Sequence, residues 1–299
     1  MYQNQELYSQ FLGWLSIGHS PETVQSYRWG LKIFMDWAES RDILDFKERD
    51  FTEYALYLRE GRIVKNTTMA SYMGSLRTFW HYLNKQSLSS YDWQEIPTPK
   101  ADDKVHYPFA LEQEIKLIIN SFDEFNPMDL RDKTILSFLW DTGVRIGEMG
   151  AIDVSQIDLE KRKAEIKTFK RTNHQREVYW SEETNQLLKK WIDARQHLIM
   201  ISKYKSNALF ISISTSHGGC RIRKSAVEIM MKKRRELLGI NKKITPHSLR
   251  HGFGSRAVKQ NVHPRHLQLM LGHAKLNTTM FYMGVENKEV EKIYRAKMI

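Results

Sequence analysis

The sequence predicts a mainly α-helical fold in two domains, the second an α+β domain with a small antiparallel sheet. Three observations predict it. Residues 20–40 and 66–85 space their large apolar side chains at helical intervals. Residues 86–108 lose that periodicity and gather Ser, Pro and mixed charge. One pair of segments rich in Ile, Val and aromatics, 163–169 and 176–180, interrupts an otherwise helical second part. At 299 residues the chain can bury a full core, and that length favours two domains over one.

The elements follow in order. "SPETVQSYRWGLKIFMDWAES" opens with Ser20 as N-cap and Pro21 at the first helical position, then places Val24, Tyr27, Leu31, Phe34 and Trp37 on one face. "NTTMASYMGSLRTFWHYLNK" puts Met69, Tyr72, Met73, Leu76, Phe79, Trp80 and Leu83 on a single stripe. Segments 4–16 and 50–60 complete a four-helix unit over residues 1–90. Such aromatic stripes form core, so no chemistry is assigned to them. Residues 91–108 are expected to form the linker. From 109 to 299, "LEQEIKLIINSF" and "LRDKTILSFLWDTGVRIGEMGAI" read as helices, "KAEIKTF" and "REVYW" as a hairpin across the polar "KRTNHQ", and "SEETNQLLKKWIDARQHL" as the first of the helices that dominate to the C terminus.

Net charge is +11, and it is unevenly spread. Residues 1–100 carry 11 Lys/Arg against 12 Asp/Glu, residues 101–299 carry 35 against 23. A basic excess confined to the second domain suits a polyanion such as nucleic acid, whose phosphates bind through counterion release; a solvated basic face is the plainer explanation. No run of about 18 apolar residues is present, and "MYQNQELYSQ" lacks the charged-then-apolar order of a signal peptide, so a cytoplasmic protein without membrane contact is expected. A single cysteine, Cys220, excludes a disulfide framework and a multi-cysteine zinc site.

Three short stretches can carry chemistry. In "DTGVRIGEM", Arg145 follows Gly143 in a tight turn between helices. In "ITPHSLRHGFGSR", His247 and Arg250 stand at i and i+3 on one helix face, able to grip one group. In "LGHAKLNTTMFYMGV", His273 follows a helix end broken by Gly272, and Tyr282 lies nine residues on in a helix opening at "NTT". Taken singly, each has an ordinary explanation: a surface arginine, a structural histidine, a core tyrosine.

Together, Arg145, the hairpin lysines, His247-x-x-Arg250, His273 and Tyr282 resemble the tyrosine recombinase family, also called phage integrases, and its Xer-like members in particular. "TGVRIGEM", "HSLRHGF" and "LGHAKLNTTMFYM" match in residue type, spacing and order, and the resemblance spans essentially the whole chain. It implies a helical, SAM-like core-binding domain over 1–90, a linker over 91–108, and a catalytic domain over 109–299. It implies site-specific DNA recombination through a 3′-phosphotyrosyl intermediate, with no metal, cofactor or ATP. The implied partners are double-stranded DNA with a specific recombination site and a homo-tetramer in synapsis, with a second recombinase or accessory protein left open.

Carried over by residue, Tyr282 attacks the scissile phosphate, His247 takes its proton, and Arg145 and Arg250 offer paired donors to the charge that develops on the non-bridging oxygens. His273 donates a further hydrogen bond, and Glu148 orients the cluster. His251 directly follows Arg250, is expected on a different side, and supports the site. Lys170 is preferred over Lys167 as the acid for the leaving 5′-oxygen, because it lies a short polar turn before "REV"; both stay open. The basic run 221–235 is expected to contact DNA backbone, and the tail helix bearing Val290, Ile293, Tyr294 and Met298 to pack on a neighbouring subunit or on its own domain. Two rivals stand beside this reading: a DNA-binding protein of the same descent without catalysis, and a type IB topoisomerase.

Overall fold

The structure, a computed structural model, describes residues 2–99, 112–167 and 175–273. Lys170, Tyr282 and the tail helix expected around Val290, Ile293, Tyr294 and Met298 lie outside the described residues. The chain divides into two compact units, residues 1–105 and 106–299.

The first unit is four helices: α1 (Tyr2–Gly18), α2 (Pro21–Ala38), α3 (Glu48–Leu56) and α4 (Asn66–Lys85), with a π-helical turn at Tyr57–Gly61. The Thr23 N–H donates to the Ser20 hydroxyl, and Pro21 opens α2, the start the sequence predicts. Trp80 is fully buried, with Phe51 edge-on at 4.8 Å and Phe34 edge-on at 5.7 Å. Edge-to-face packing of this kind adds about 0.5–1.5 kcal/mol per pair beyond the area buried.

Residues 91–99, expected in the linker, are anchored to this first unit instead. Ile96 is 1% exposed, Tyr91 packs 4.8 Å from Phe51, and the Asn84 side-chain amide donates to the carbonyls of Ser89 and Tyr91. Arg77 donates to the carbonyls of Trp93 and Gln94. Side-chain donors satisfy an irregular backbone here, so loss of periodicity does not mean loss of packing.

In the second unit α6 (Pro127–Thr142) is the central helix, buried nearly all round and flanked by α5 (Glu112–Asn120), α8 (Glu182–Ile201) and α10 (Pro246–Lys259). Asn126 caps α6, and Gly143 ends it in the left-handed conformation at φ 61°. After the short α7 (Ile146–Gly150) comes an antiparallel sheet in the order β1 (Ile157–Asp158), β2 (Lys163–Lys167), β3 (Gln175–Tyr179). Its inner face sends Ala164, Ile166 and Val178 into the core, while Glu165, Lys167 and Glu177 stay exposed. β1 is not foreseen by the sequence, since two residues give no alternation to read.

Helices do not run unbroken to the C terminus either. Between α8 and α9 (Lys224–Leu237) the chain is irregular, held by bridges Asp153↔Ala208 and Ile211↔Arg221. α11 (Pro264–Leu271) follows α10 and ends at Gly272, φ 63°. α10 lies hard against α6: a Cβ on Gly252 would come 2.3 Å from Trp140, and Arg256 lies 3.7 Å over the same indole. Among the described residues, no helix is long and apolar enough to cross a membrane.

Candidate active site

Four elements of the second unit converge. Arg145 is the N-cap of α7, immediately beyond the Gly143 turn, and Glu148 three residues on accepts from the Arg145 N–H at 2.9 Å and from its guanidinium at 2.9 Å. Glu148 is 4% exposed. Thr245 caps α10, so Pro246 and His247 fall in its first turn and Arg250 one turn later. Arg250 is 2% exposed and donates to the Gly143 carbonyl at 2.8 Å and the Leu271 carbonyl at 2.7 Å. Arg145 leans on the next carbonyl, that of Gly272, at 3.4 Å from both terminal nitrogens. Two guanidiniums thus hold consecutive carbonyls at the end of α11, with His273 the next residue. Gln268 secures that residue, accepting from its N–H through the backbone and donating to its carbonyl at 2.9 Å.

The three histidines are held neutral near pH 7. Packing of the His247 ring, then the charges of Arg250 and Arg145, lowers its pKa below the ordinary 6.5. Burial, followed by its arginine neighbours Arg250, Arg145 and Arg176, takes His273 down to about 4. Burial, then His247 and Arg250, takes His251 down to about 4. Glu148 stays ionised: burial works against its charge, but the Arg176 and Arg145 contacts outweigh it and its pKa is lowered. Two guanidiniums therefore hold one carboxylate, Arg250 adds a third positive charge nearby, and the excess is positive, as an anion site requires.

The structure thus brings Arg145, His247, Arg250 and His273 into one neighbourhood. Lys167 is exposed at the end of β2, opposite Gln175. His251, expected on a different side from Arg250 and in support of the site, stands one helical turn from His247 and sets its ring 4.3 Å from that of His247, nearly perpendicular.

The basic run differs from expectation. Arg221 donates to the carbonyls of Gly150 and Ile152 and pairs with Asp153; Arg234 pairs with Asp129 and lies 3.9 Å over Phe122; Arg235 donates to the Lys242 carbonyl. These three brace the fold. Arg223, Lys224, Lys232 and Lys233 are exposed, as is Arg221 itself.

One residue escapes sequence reasoning. Arg176 on β3 forms an ion pair with Glu148 at 2.7 Å and donates to the Met270 carbonyl at 3.1 Å. The available signal was its place two residues from Val178, on the inward face of a strand, where a charged side chain needs a partner.

The chain is similar to known proteins along nearly its whole length. Residues 109–289 match the phage integrase family, and residues 7–87 match the phage integrase N-terminal SAM-like domain. The chain is 26% identical to the tyrosine recombinase XerD of Listeria innocua over 298 residues, 97% of each chain. It is 27% identical to the tyrosine recombinase XerC of Herpetosiphon aurantiacus over 299 residues, 98% of this chain and 94% of that one. Among solved structures, the Tn1549 transposon integrase in complex with transposon right end DNA shares the fold with a TM-score of 0.75 at 17% identity, covering 98% of this chain and 99% of that chain. The XerH site-specific recombinase bound to a difH substrate does so with a TM-score of 0.68 at 18% identity, covering 93% and 79%.

Proposed function

The chain belongs to the phage integrase family, and from that membership we propose that it is a tyrosine site-specific recombinase, cleaving and rejoining double-stranded DNA through a 3′-phosphotyrosyl intermediate. The observation that carries the reading is the convergence of Arg145, His247, Arg250 and His273 around the end of α11, with Glu148 ionised behind them.

In the proposed reaction the Tyr282 hydroxyl attacks the scissile phosphorus; the new O–P bond forms as the bond to the 5′-oxygen breaks. An unperturbed phenol has a pKa of about 10 and must lose its proton during attack. His247, neutral near pH 7 because packing and two arginines lower its pKa, accepts it. Arg145 and Arg250 meet the charge on the non-bridging oxygens with paired, immobilised donors, and neutral His273 adds an N–H. The 5′-oxygen leaves with a proton from Lys170, or from Lys167. In strand exchange the 5′-hydroxyl of the partner duplex attacks the phosphotyrosine, so bond energy is conserved. The N-terminal domain, residues 1–90, contributes DNA binding, residues 109–299 the chemistry, and four copies assemble in synapsis in the cytoplasm.

The test is covalent capture. Protein is mixed with sheared genomic DNA of its source, quenched in detergent, and the adducts are sequenced, with Tyr282→Phe in parallel. Adducts at one short inverted-repeat site, absent from Tyr282→Phe, are expected; an adduct that persists in Tyr282→Phe overturns the assignment of the nucleophile. Strand exchange between two duplexes distinguishes a recombinase from a topoisomerase.

A further inference from the structure

Resting on the reading above, we propose that Arg176 is a positioning residue of the reaction: it grips the Glu148 carboxylate and the end of α11 together, and through them sets Arg145 and His273 against the phosphate.

The contacts close a ring. From the inward face of β3, opposite Ile166, the Arg176 terminal nitrogens reach Glu148 Oε2 at 2.7 Å and Oε1 at 3.4 Å, and its Nε reaches the Met270 carbonyl at 3.1 Å. Each Glu148 oxygen also takes a donor from Arg145, the backbone N–H on Oε2 and the guanidinium on Oε1. Arg145 returns to α11 through the Gly272 carbonyl. The ring therefore runs Arg176, Glu148, Arg145, Gly272, Met270 and back to Arg176. Its members come from β3, α7 and the end of α11, which are far apart in sequence and have no other shared anchor of this kind among the described residues.

Burial makes the ring stiff. The side chains of Arg176 and Glu148 are 11% and 3% exposed, so water is poorly placed to replace a lost partner. Gly272 is part of the fit: a Cβ there would stand 2.7 Å from Arg176 Nη1, and its φ is 63°. A planar fork with donors on three nitrogens suits two acceptors on different elements, and a lysine ammonium does not reproduce it.

The consequence is chemical. The charged groups facing Glu148 are Arg176 from β3 and Arg145 from α7. Without Arg176, burial is opposed by Arg145 alone, so Glu148 takes up a proton at higher pH and ceases to hold Arg145 by its backbone N–H on one oxygen and its guanidinium on the other. His273, whose loop is tied down through Met270 and Gly272, loses its register at the same time.

The experiment uses the full chain and a nicked duplex bearing the site found by covalent capture. Single-turnover cleavage from pH 5 to 8, DNA affinity and thermal melting are measured for wild type, Arg176→Gln, Arg176→Lys and Arg176→Gln with Glu148→Gln. Arg176→Gln is expected to bind DNA within about threefold of wild type, to cleave at least about thirtyfold more slowly at pH 7, and to show an acid limb at higher pH than wild type. The added Glu148→Gln substitution is expected to abolish that new limb, an effect that mere loss of stability would not produce. Arg176→Lys restores the charge and removes the limb while leaving a rate defect; it carries the test if Arg176→Gln fails to fold. Wild-type rate and pH profile in Arg176→Gln, or rate losses that track the folded fraction in all variants, overturn the proposal. A wild-type chain that forms no adduct overturns the recombinase reading, and this inference with it.

Discussion

Substituting Arg250 by lysine keeps the charge at the centre of the site and removes the geometry. Arg250 is 2% exposed and spans the Gly143 carbonyl at 2.8 Å and the Leu271 carbonyl at 2.7 Å with separate nitrogens. A lysine ammonium is a point donor and cannot reproduce the fork. At least one buried carbonyl loses its partner, a cost of about 1–3 kcal/mol. For a domain of about 150–250 residues that lowers Tm by roughly 2–12 °C. Against a typical stability of about 5–15 kcal/mol the protein still folds at 25 °C, so unfolding cannot explain a large kinetic defect. Cleavage should fall by about 10²–10³, or about 2.7–4 kcal/mol, as for other preorganised donors. The assay is single-turnover cleavage with protein in excess, alongside melting by circular dichroism and DNA affinity. A rate within fivefold of wild type would refute the placement of Arg250 at the phosphate, and an unchanged Tm would refute the two-carbonyl anchor.

Other expectations follow from the same geometry. Because the His247 pKa is lowered and the neutral ring is the base, wild-type cleavage should rise with pH through a limb centred below 6.5; a limb at or above 6.5 contradicts the assignment. His251 and His273 are depressed to about 4, so the unfolded chain binds more protons between about pH 4 and 6.5. Their contribution to stability is complete above about 6.5 and is lost as pH falls toward 4, which calorimetry across pH 4.5–7.5 should record as a falling Tm, blunted in His251→Asn. Gly252→Ala drives a methyl to 2.3 Å from Trp140 and should cost about 1–3 kcal/mol by overpacking; a Tm equal to wild type would show that α10 can move off α6 freely. On DNA with an activated 5′ leaving group, cleavage by Lys170→Ala should be rescued and that by Lys167→Ala should gain nothing, the reverse result assigning Lys167 as the acid.

Much of the fold was legible because its signals are local. The stripe from Met69 to Leu83 and the caps at Ser20, Gly143 and Gly272 each declare themselves within a few residues. Arg145, His247, Arg250 and His273 were legible as a set, since their order and spacing matched a known pattern. What the sequence hid is what depends on distant partners. Arg176 meets Glu148 and Met270, 28 and 94 residues away, and nothing nearby in the chain announces either. Charge counting could not separate Arg221 and Arg234, spent on carbonyls and aspartates, from lysines left in solvent. Residues 91–99 lack periodicity yet bury Ile96, because side-chain amide and guanidinium donors replace the missing backbone pattern. The contact of His251 with His247, four residues back, went unread because attention fell on its neighbour Arg250.

The carbonyls of Leu271 and Gly272, held by Arg250 and Arg145, make the end of α11 a ruler. Adjacent Cα atoms are about 3.8 Å apart, more than the whole length of either hydrogen bond. A single residue inserted or deleted between Pro264 and His273 would hand each guanidinium the wrong carbonyl and carry His273 past its place. Residues 264–273 should therefore keep their count: the two carbonyls and His273 behind them hold their places only while the number of residues before them is fixed.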